Sequence, residues 1–253
     1  AFQAASVATK TTSTLLGVTI FGHPGTRSPL VNWACLEAGV QFDMGDLGQN
    51  PHPFGQIPCL SDDDNVVVFE SGAILLYLHG KYCKMRPAAS AVVQSWIVWA
   101  NASLDPICFL ETPDGKVYDT GLKKPNRRLD RLEEILKSNE SGGSLVLVPE
   151  AGFSLADVAV ASYLLYVPQF FPNVLDESPM VSKWPTILRY MKERVHREML
   201  TQKPLVPVRK GRWCSCCLPN LVRRSYLGCS RSSSARKMTL SCPMTFLRHT
   251  FPF

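Results

Sequence analysis

Residues Asn50 to Tyr82 read NPHPFGQIPCL-SDDDN-VVVFESGAILLYLHGKY. Two short apolar runs flank an acidic, turn-prone linker, and the second run breaks at Glu70-Ser71 into a helical pattern. That order predicts a strand, a hairpin turn, a second strand and a helix N-terminus. Pro58 removes one backbone donor and holds its neighbour extended, so Ile57-Pro58 is the place to expect a cis peptide bond. Such a bend leaves the Ile57 main chain free to pair with a peptide-like ligand. The helix that starts at Ser71 offers unpaired N–H groups and a partial positive charge, which suit a carboxylate. Together the two features describe a site for a small acidic peptide.

The upstream segment supplies the rest of a sheet. Gly17–Phe21 is a β-rich run, HPGTRSP (His23 to Pro29) is a loop, and Leu30–Ala38 carries apolar residues at helical spacing. Pro29 suits a first helical turn, and Ser28 is a natural cap. Gly39 closes the helix, and Val40–Phe42 is the expected second strand. A β-α-β unit followed by β-β-α is a thioredoxin-like arrangement, predicted for residues 16–84.

From Ala89 to residue 202 the pattern is helical throughout. VVQSWIVWANASLDPICF forms one segment and Gly121–Asn139 a second, charged one. In the latter Lys123, Lys124, Arg127, Arg128 and Arg131 interleave with Asp130, Glu133 and Glu134, which marks a solvated face. Ser154-Leu-Ala-Asp157 has the spacing of a capping box ahead of an apolar run through Leu165. Trp184–Met199 is the last helix.

Charge and cysteine divide the chain. Of 27 Lys and Arg against 21 Asp and Glu, ten of the basic residues and none of the acidic ones lie in 203–253. The body therefore holds seventeen basic and 21 acidic residues and has no basic face for nucleic acid. No apolar run reaches the roughly 20 residues a membrane helix needs. Cys35, Cys59, Cys83 and Cys108 lie in apolar surroundings and read as buried thiols. Cys214, Cys216, Cys217, Cys229 and Cys242 lie in the tail without a standard zinc spacing, so no metal is expected and the tail reads as disordered. Residues 1–15 are Ala-, Ser- and Thr-rich, which suits either a floppy terminus or the remnant of a transit peptide. The compartment expected is accordingly the cytoplasm, with a plastid or other organelle as the alternative.

NPHPFGQIP followed by VFESGAILLYL resembles the glutathione-binding half of the glutathione S-transferase superfamily. There an N-P-F-G-[QK]-[VI]-P segment precedes E-S-x-A-I at a helix start. The resemblance covers about residues 16–202 and implies a thioredoxin-like α/β domain followed by an all-α helical bundle, assembled as a homodimer. It implies glutathione as co-substrate, with its thiolate attacking a small electrophile. By the same resemblance, Ile57 meets the cysteinyl backbone, Pro58 sets the bend, Glu70 and Ser71 hold the γ-glutamyl amine and carboxylate, and Gln56 reaches the ligand's backbone. Relatives commonly have a longer segment after strand 2, with a basic side chain near the ligand's glycine end. Here only Asp43–Gln49 fill that gap, and His52 is the nearest substitute.

A glutathione enzyme needs a thiolate, and a hydroxyl at a helix N-terminus favours it. In the family this donor follows strand 1 and is Tyr, Ser or Cys. Here the loop has only Thr26 and Ser28. Counting back from Gly39 makes Thr26 the first candidate and Ser28 the second. The competing reading has both hydroxyls capping the helix. Arg27 would orient an acidic group or stand as a surface residue. The electrophile is expected between the domains, near His23, Trp96 and Trp99. FESGAIL with a Thr-type loop also resembles the Ure2p-like branch, which keeps a glutathione-dependent disulfide reductase or peroxidase open. A non-catalytic binding or structural subunit is the other alternative.

Overall fold

The computed structural model describes residues 17–176 and 179–201. The readings made above for residues 1–15 and for the tail from 203 lie outside the described residues. The first half is a four-stranded sheet in the order β2-β1-β3-β4, made by β1 (Val18–Phe21), β2 (Phe42–Met44), β3 (Cys59–Asp62) and β4 (Val67–Phe69). β1 pairs parallel with β2 and antiparallel with β3, and β3 pairs antiparallel with β4. Two helices, α1 (Ser28–Glu37) and α2 (Ser71–Tyr82), pack on each other and on the sheet. Ile20, Leu30, Val31, Leu60, Ile74, Leu75 and Leu78 form the interior, each at most 2% exposed. The apolar spacing explains this: period two in β1 and β3, and i, i+1, i+4 along α2.

β2 starts at Phe42 rather than Val40. Gly39, at φ 69, ends α1 in a left-handed turn, and the chain becomes extended only after Val40 turns its side chain inward. Between β2 and β3 there is a single short 3-10 turn, Leu47–Gln49, opened by Asp46, whose side chain accepts the Gly48 N–H at 3.0 Å. The gap is as short as its residue count predicts.

The second half is helical. α3 (Pro87–Trp99) runs through a π-turn (Ala100–Leu104) into α4 (Asp105–Cys108). Then come α5 (Arg127–Ser141), α6 (Leu155–Phe170), α7 (Met180–Lys183) and α8 (Pro185–Thr201). α3 begins at Pro87, two residues before its predicted start, because proline suits the first turn. Every residue of α6 from Leu155 to Pro168 is buried, so it is the axis of the bundle, apolar on all sides. Its start is held by Asp157, which accepts N–H bonds from Ser154 (3.1 Å) and Leu147 (3.0 Å) and an O–H bond from Tyr190 (3.0 Å). Burial pushes this carboxyl up, and those three donors pull it down. Helical spacing concealed one feature: a two-stranded ribbon, β5 (Leu110–Glu111) with β6 (Val117–Asp119), inserted after α4.

Candidate active site

Strand register brings three segments to one end of the sheet. Phe21 pairs with Cys59, and Cys59 pairs with Phe69. The residues just beyond that row are Gly22–Ser28, Ile57-Pro58 and Glu70-Ser71. They leave the ladder side by side, although nearly 50 residues separate the first from the last.

At the third segment the chain turns from β4 into α2 through Glu70, which has φ 67 and ψ 124. A non-glycine residue in that region costs on the order of 1–3 kcal/mol and is concentrated at binding sites. Glu70 is exposed, while Ser71 is only 4% exposed. The Ser71 hydroxyl does not stand open to the cleft. Its Oγ accepts from Asn101 Nδ2 at 3.2 Å and lies 3.4 Å from the hydroxyl of Tyr163. What α2 offers outward are the amides of its first turn, since the first intrahelical bond is Ile74 N–H to the Glu70 carbonyl. Gly72 permits the approach of the π-turn: a Cβ there would sit 2.8 Å from Asn101 Oδ1. Asn101 and Tyr163 were not legible as site residues, because their apolar neighbours made them read as helix core.

At the second segment the Ile57-Pro58 bond is cis, as the sequence predicts. Asn50 shapes the loop: its Nδ2 donates to the Gln56 carbonyl at 2.8 Å, and its Oδ1 accepts the His52 N–H at 3.1 Å. Gln56 is exposed, Ile57 half-buried and Pro58 buried. His52 does not reach outward. It is 6% exposed, its Nδ1 accepts the Phe54 N–H at 3.0 Å, and its ring lies 4.8 Å from that of Phe69. The loop therefore uses His52 internally, which removes it as a substitute for the missing basic side chain.

The first segment is a closed set of hydroxyl bonds. Thr26 Oγ1 donates to the His23 carbonyl at 2.8 Å and lies 2.7 Å from Ser28 Oγ, which accepts the His23 N–H at 3.0 Å. Ser28 is the first residue of α1 rather than its cap and is 1% exposed, and its hydroxyl bonds within the loop. Thr26 is half-buried, and its Oγ1 also accepts the Ser28 N–H at 3.3 Å. His23 is exposed, and its Nδ1 accepts the Gly25 N–H at 3.1 Å. Arg27 is committed elsewhere. Its Nε and Nη2 donate to both oxygens of Asp105 at 3.0 and 2.6 Å, and its guanidinium sits 5.6 Å from the Phe109 ring centre. The paired carboxylate holds Arg27 above its ordinary range in spite of burial.

Beside this pair lies a cleft of about 370 Å3 lined by Asp105, Pro106, Phe109, Leu110, Glu111 and Tyr118. Trp96 and Trp99 are elsewhere. Stacked edge to face at 5.2 Å, they line a groove between α3 and α5 with Ser95, Arg128, Arg131, Leu132 and Ile135. No residue of the sheet domain lines that groove, so the structure does not bring the two tryptophans together with His23. The helical period placed them correctly on α3 but could not say which neighbour their face meets. Among the described residues no group of three or more His, Cys, Asp or Glu is placed to hold a metal. No helix among them is long and apolar enough to cross a membrane.

A thioredoxin-like sheet with a cis proline ahead of β3 and a helical bundle alongside make the two-domain architecture of the glutathione S-transferases. The profile "Glutathione S-transferase, N-terminal domain" matches residues 16–80, and "Glutathione S-transferase, C-terminal domain" matches residues 81–198. The chain belongs to the glutathione S-transferase family. It is 32% identical over 149 residues to "Glutathione S-transferase PM239X14" of Arabidopsis thaliana, across 53% of this chain and 68% of that one. The structure titled "Ure2p in Complex with Glutathione" superposes with a TM-score of 0.58 at 19% identity, over 74% of this chain and 94% of that one. A Pseudomonas putida glutathione transferase with glutathione disulfide bound has a TM-score of 0.58 at 18% identity, over 77% and 94%.

Proposed function

We propose that this protein binds glutathione at the end of the sheet where residues 22–28, 57–58 and 70–71 meet, and conjugates it to a small electrophile. The observation that carries the proposal is the register Phe21–Cys59–Phe69, which sets the Ile57-Pro58 segment between the loop after β1 and the start of α2. In this reading the Ile57 main chain pairs with the cysteinyl residue of glutathione. The first amides of α2 take the γ-glutamyl carboxylate, and Glu70 takes the amine. Gln56 approaches from the loop. Thr26, in the loop two residues before α1, rotates its hydroxyl from the His23 carbonyl to the ligand sulfur and favours the thiolate. That thiolate forms the new S–C bond, the leaving group departs with its electron pair, and the thiol proton passes to solvent. The same reading makes the protein a homodimer, supported by apolar side chains left outside: Phe54 at 76%, Val67 at 41% and Phe69 at 36% exposed, with Val92 and Val98 on α3.

Among the described residues, Cys35, Cys59 and Cys108 are buried and Cys83 is half-buried, and burial raises the pKa of each, so none of these four favours a reductase with a resident thiol over one that uses the thiol of glutathione itself. The test compares turnover of an aryl halide and of a glutathione-capped disulfide by the full chain. Conjugation of the halide supports the transferase, reduction of the disulfide alone supports the reductase, and turnover of neither supports a binding role.

A further inference from the structure

The cleft beside Arg27 has an uneven charge balance. One cation faces two carboxylates. The donors Nε and Nη2 of Arg27 are both engaged by Asp105, whose side chain is 19% exposed. Glu111, on β5, stands 3.6 Å from the same Nη2, and its side chain is 41% exposed. Glu111 shares Arg27 with Asp105, so the one cation is set against two carboxylates and the cluster on the cleft wall keeps a net negative charge. The rest of the lining is Pro106, Phe109, Leu110 and Tyr118, two of them aromatic. Phe109 is braced edge to face by Phe170 at 5.6 Å, and the Arg27 guanidinium covers its ring. Tyr118, 61% exposed, comes from β6 and is available to lie against a ring. Asp105, which lines the cleft, holds Arg27, and Arg27 directly follows Thr26 in the chain.

We infer that this cleft holds the electrophile and selects aromatic compounds that are neutral or cationic, with the β5–β6 ribbon supplying both the aromatic wall and, through Glu111, the rejection of acidic substituents. The inference rests on the glutathione-binding reading above. Its physical basis is simple. A flat apolar ring gains contact with Phe109 and Tyr118. An anionic substituent loses its water beside a carboxylate of like charge, and among the described residues the lining of the cleft holds no cation to receive it.

The test uses the full chain and needs no catalysis. Glutathione, S-benzylglutathione, S-(4-carboxybenzyl)glutathione and its 4-trimethylammonio counterpart are each titrated by calorimetry at low salt. The benzyl conjugate is expected to bind more tightly than glutathione. The carboxybenzyl conjugate is expected to bind a few-fold to about tenfold more weakly than the benzyl one, with the gap shrinking at high salt. The cationic conjugate is expected to match or exceed the benzyl one. Glu111→Gln should close most of the gap between the carboxybenzyl and benzyl conjugates, a ratio that a loss of folding would not selectively change. Tyr118→Ala should reduce the gain of every conjugate over glutathione. Equal affinity for the acidic and neutral conjugates would overturn the inference while leaving glutathione binding intact. A gap unchanged in Glu111→Gln would overturn the role of Glu111. Failure of glutathione and all conjugates to bind would overturn the functional reading and this inference with it.

Discussion

Arg27 and Asp105 are joined by two hydrogen bonds, 3.0 and 2.6 Å long, that tie the loop after β1 to the start of α4. The pair fixes that loop against the helical bundle, so its effects should extend to both stability and loop position. Bidentate geometry makes it stronger than a typical surface ion pair, but the Arg27 side chain is 38% exposed and solvent screens part of the attraction. Asp105→Ala should cost about 1–2 kcal/mol after that discount. Chemical denaturation of Arg27→Ala, Asp105→Ala and the double variant checks this. The double variant should be clearly less destabilised than the sum of the two single ones; strict additivity would show that the pair contributes nothing of its own.

Gly72 is held to glycine by Asn101. A methyl group there would lie 2.8 Å from Oδ1 and 2.9 Å from Cγ of that side chain. Asn101 cannot retreat without losing its bond to Ser71. Gly72→Ala should therefore destabilise the fold by about 1–3 kcal/mol despite alanine's better helix propensity. A melting temperature equal to or above wild type would mean that the two helices separate more easily than their packing implies.

Thr26 and Ser28 share one hydrogen-bond set, yet they should respond differently to truncation. Thr26→Ala should lower kcat by about 10–100-fold and raise the thiol pKa of bound glutathione, as read from the ultraviolet signal of the thiolate. Thr26→Ser should restore most of both. Ser28→Ala should lower the melting temperature with a smaller effect on the thiol pKa, because its buried Oγ supports the His23 N–H. The opposite pattern would move the sulfur's partner to Ser28.

His79, in α2, is 1% exposed, and its Nε2 lies 2.9 Å from Ser90 Oγ on α3. Burial lowers its pKa below the ordinary 6.5. The unfolded chain therefore takes up a proton near pH 6.5 that the folded chain refuses, so the His79 contribution is intact above that pH. Stability falls as the pH drops below it, until the lowered folded value is reached. His79→Gln should flatten the slope of melting temperature against pH below about 6.5. An unchanged slope would assign the acid sensitivity to other groups.

The sheet domain was legible because its signals are local. Period-two runs, Pro58 and the helix start at Ser71 each specify a backbone state within a few residues. The side-chain partners were not, because they come from across the junction. Nothing near Ser71 announces Asn101 or Tyr163, 30 and 92 residues away. His52 shows the converse error: a histidine in a loop looks free, but the turn at Asn50 directs it inward to Phe54 and Phe69. Trp96 and Trp99 show the limit of helical period, which gives a face without naming what that face meets. The β5–β6 ribbon is too short for alternation to distinguish it from a loop.

The most direct test of the glutathione site is a calorimetric titration of the full chain with reduced glutathione, beside Ser71→Ala. The account predicts saturable binding at one glutathione per chain, weakened about five- to thirtyfold in the variant, because Ser71 orders the first amides of α2 against Asn101 and Tyr163. No heat of binding in the wild type, or an affinity that Ser71→Ala leaves unchanged, would contradict it.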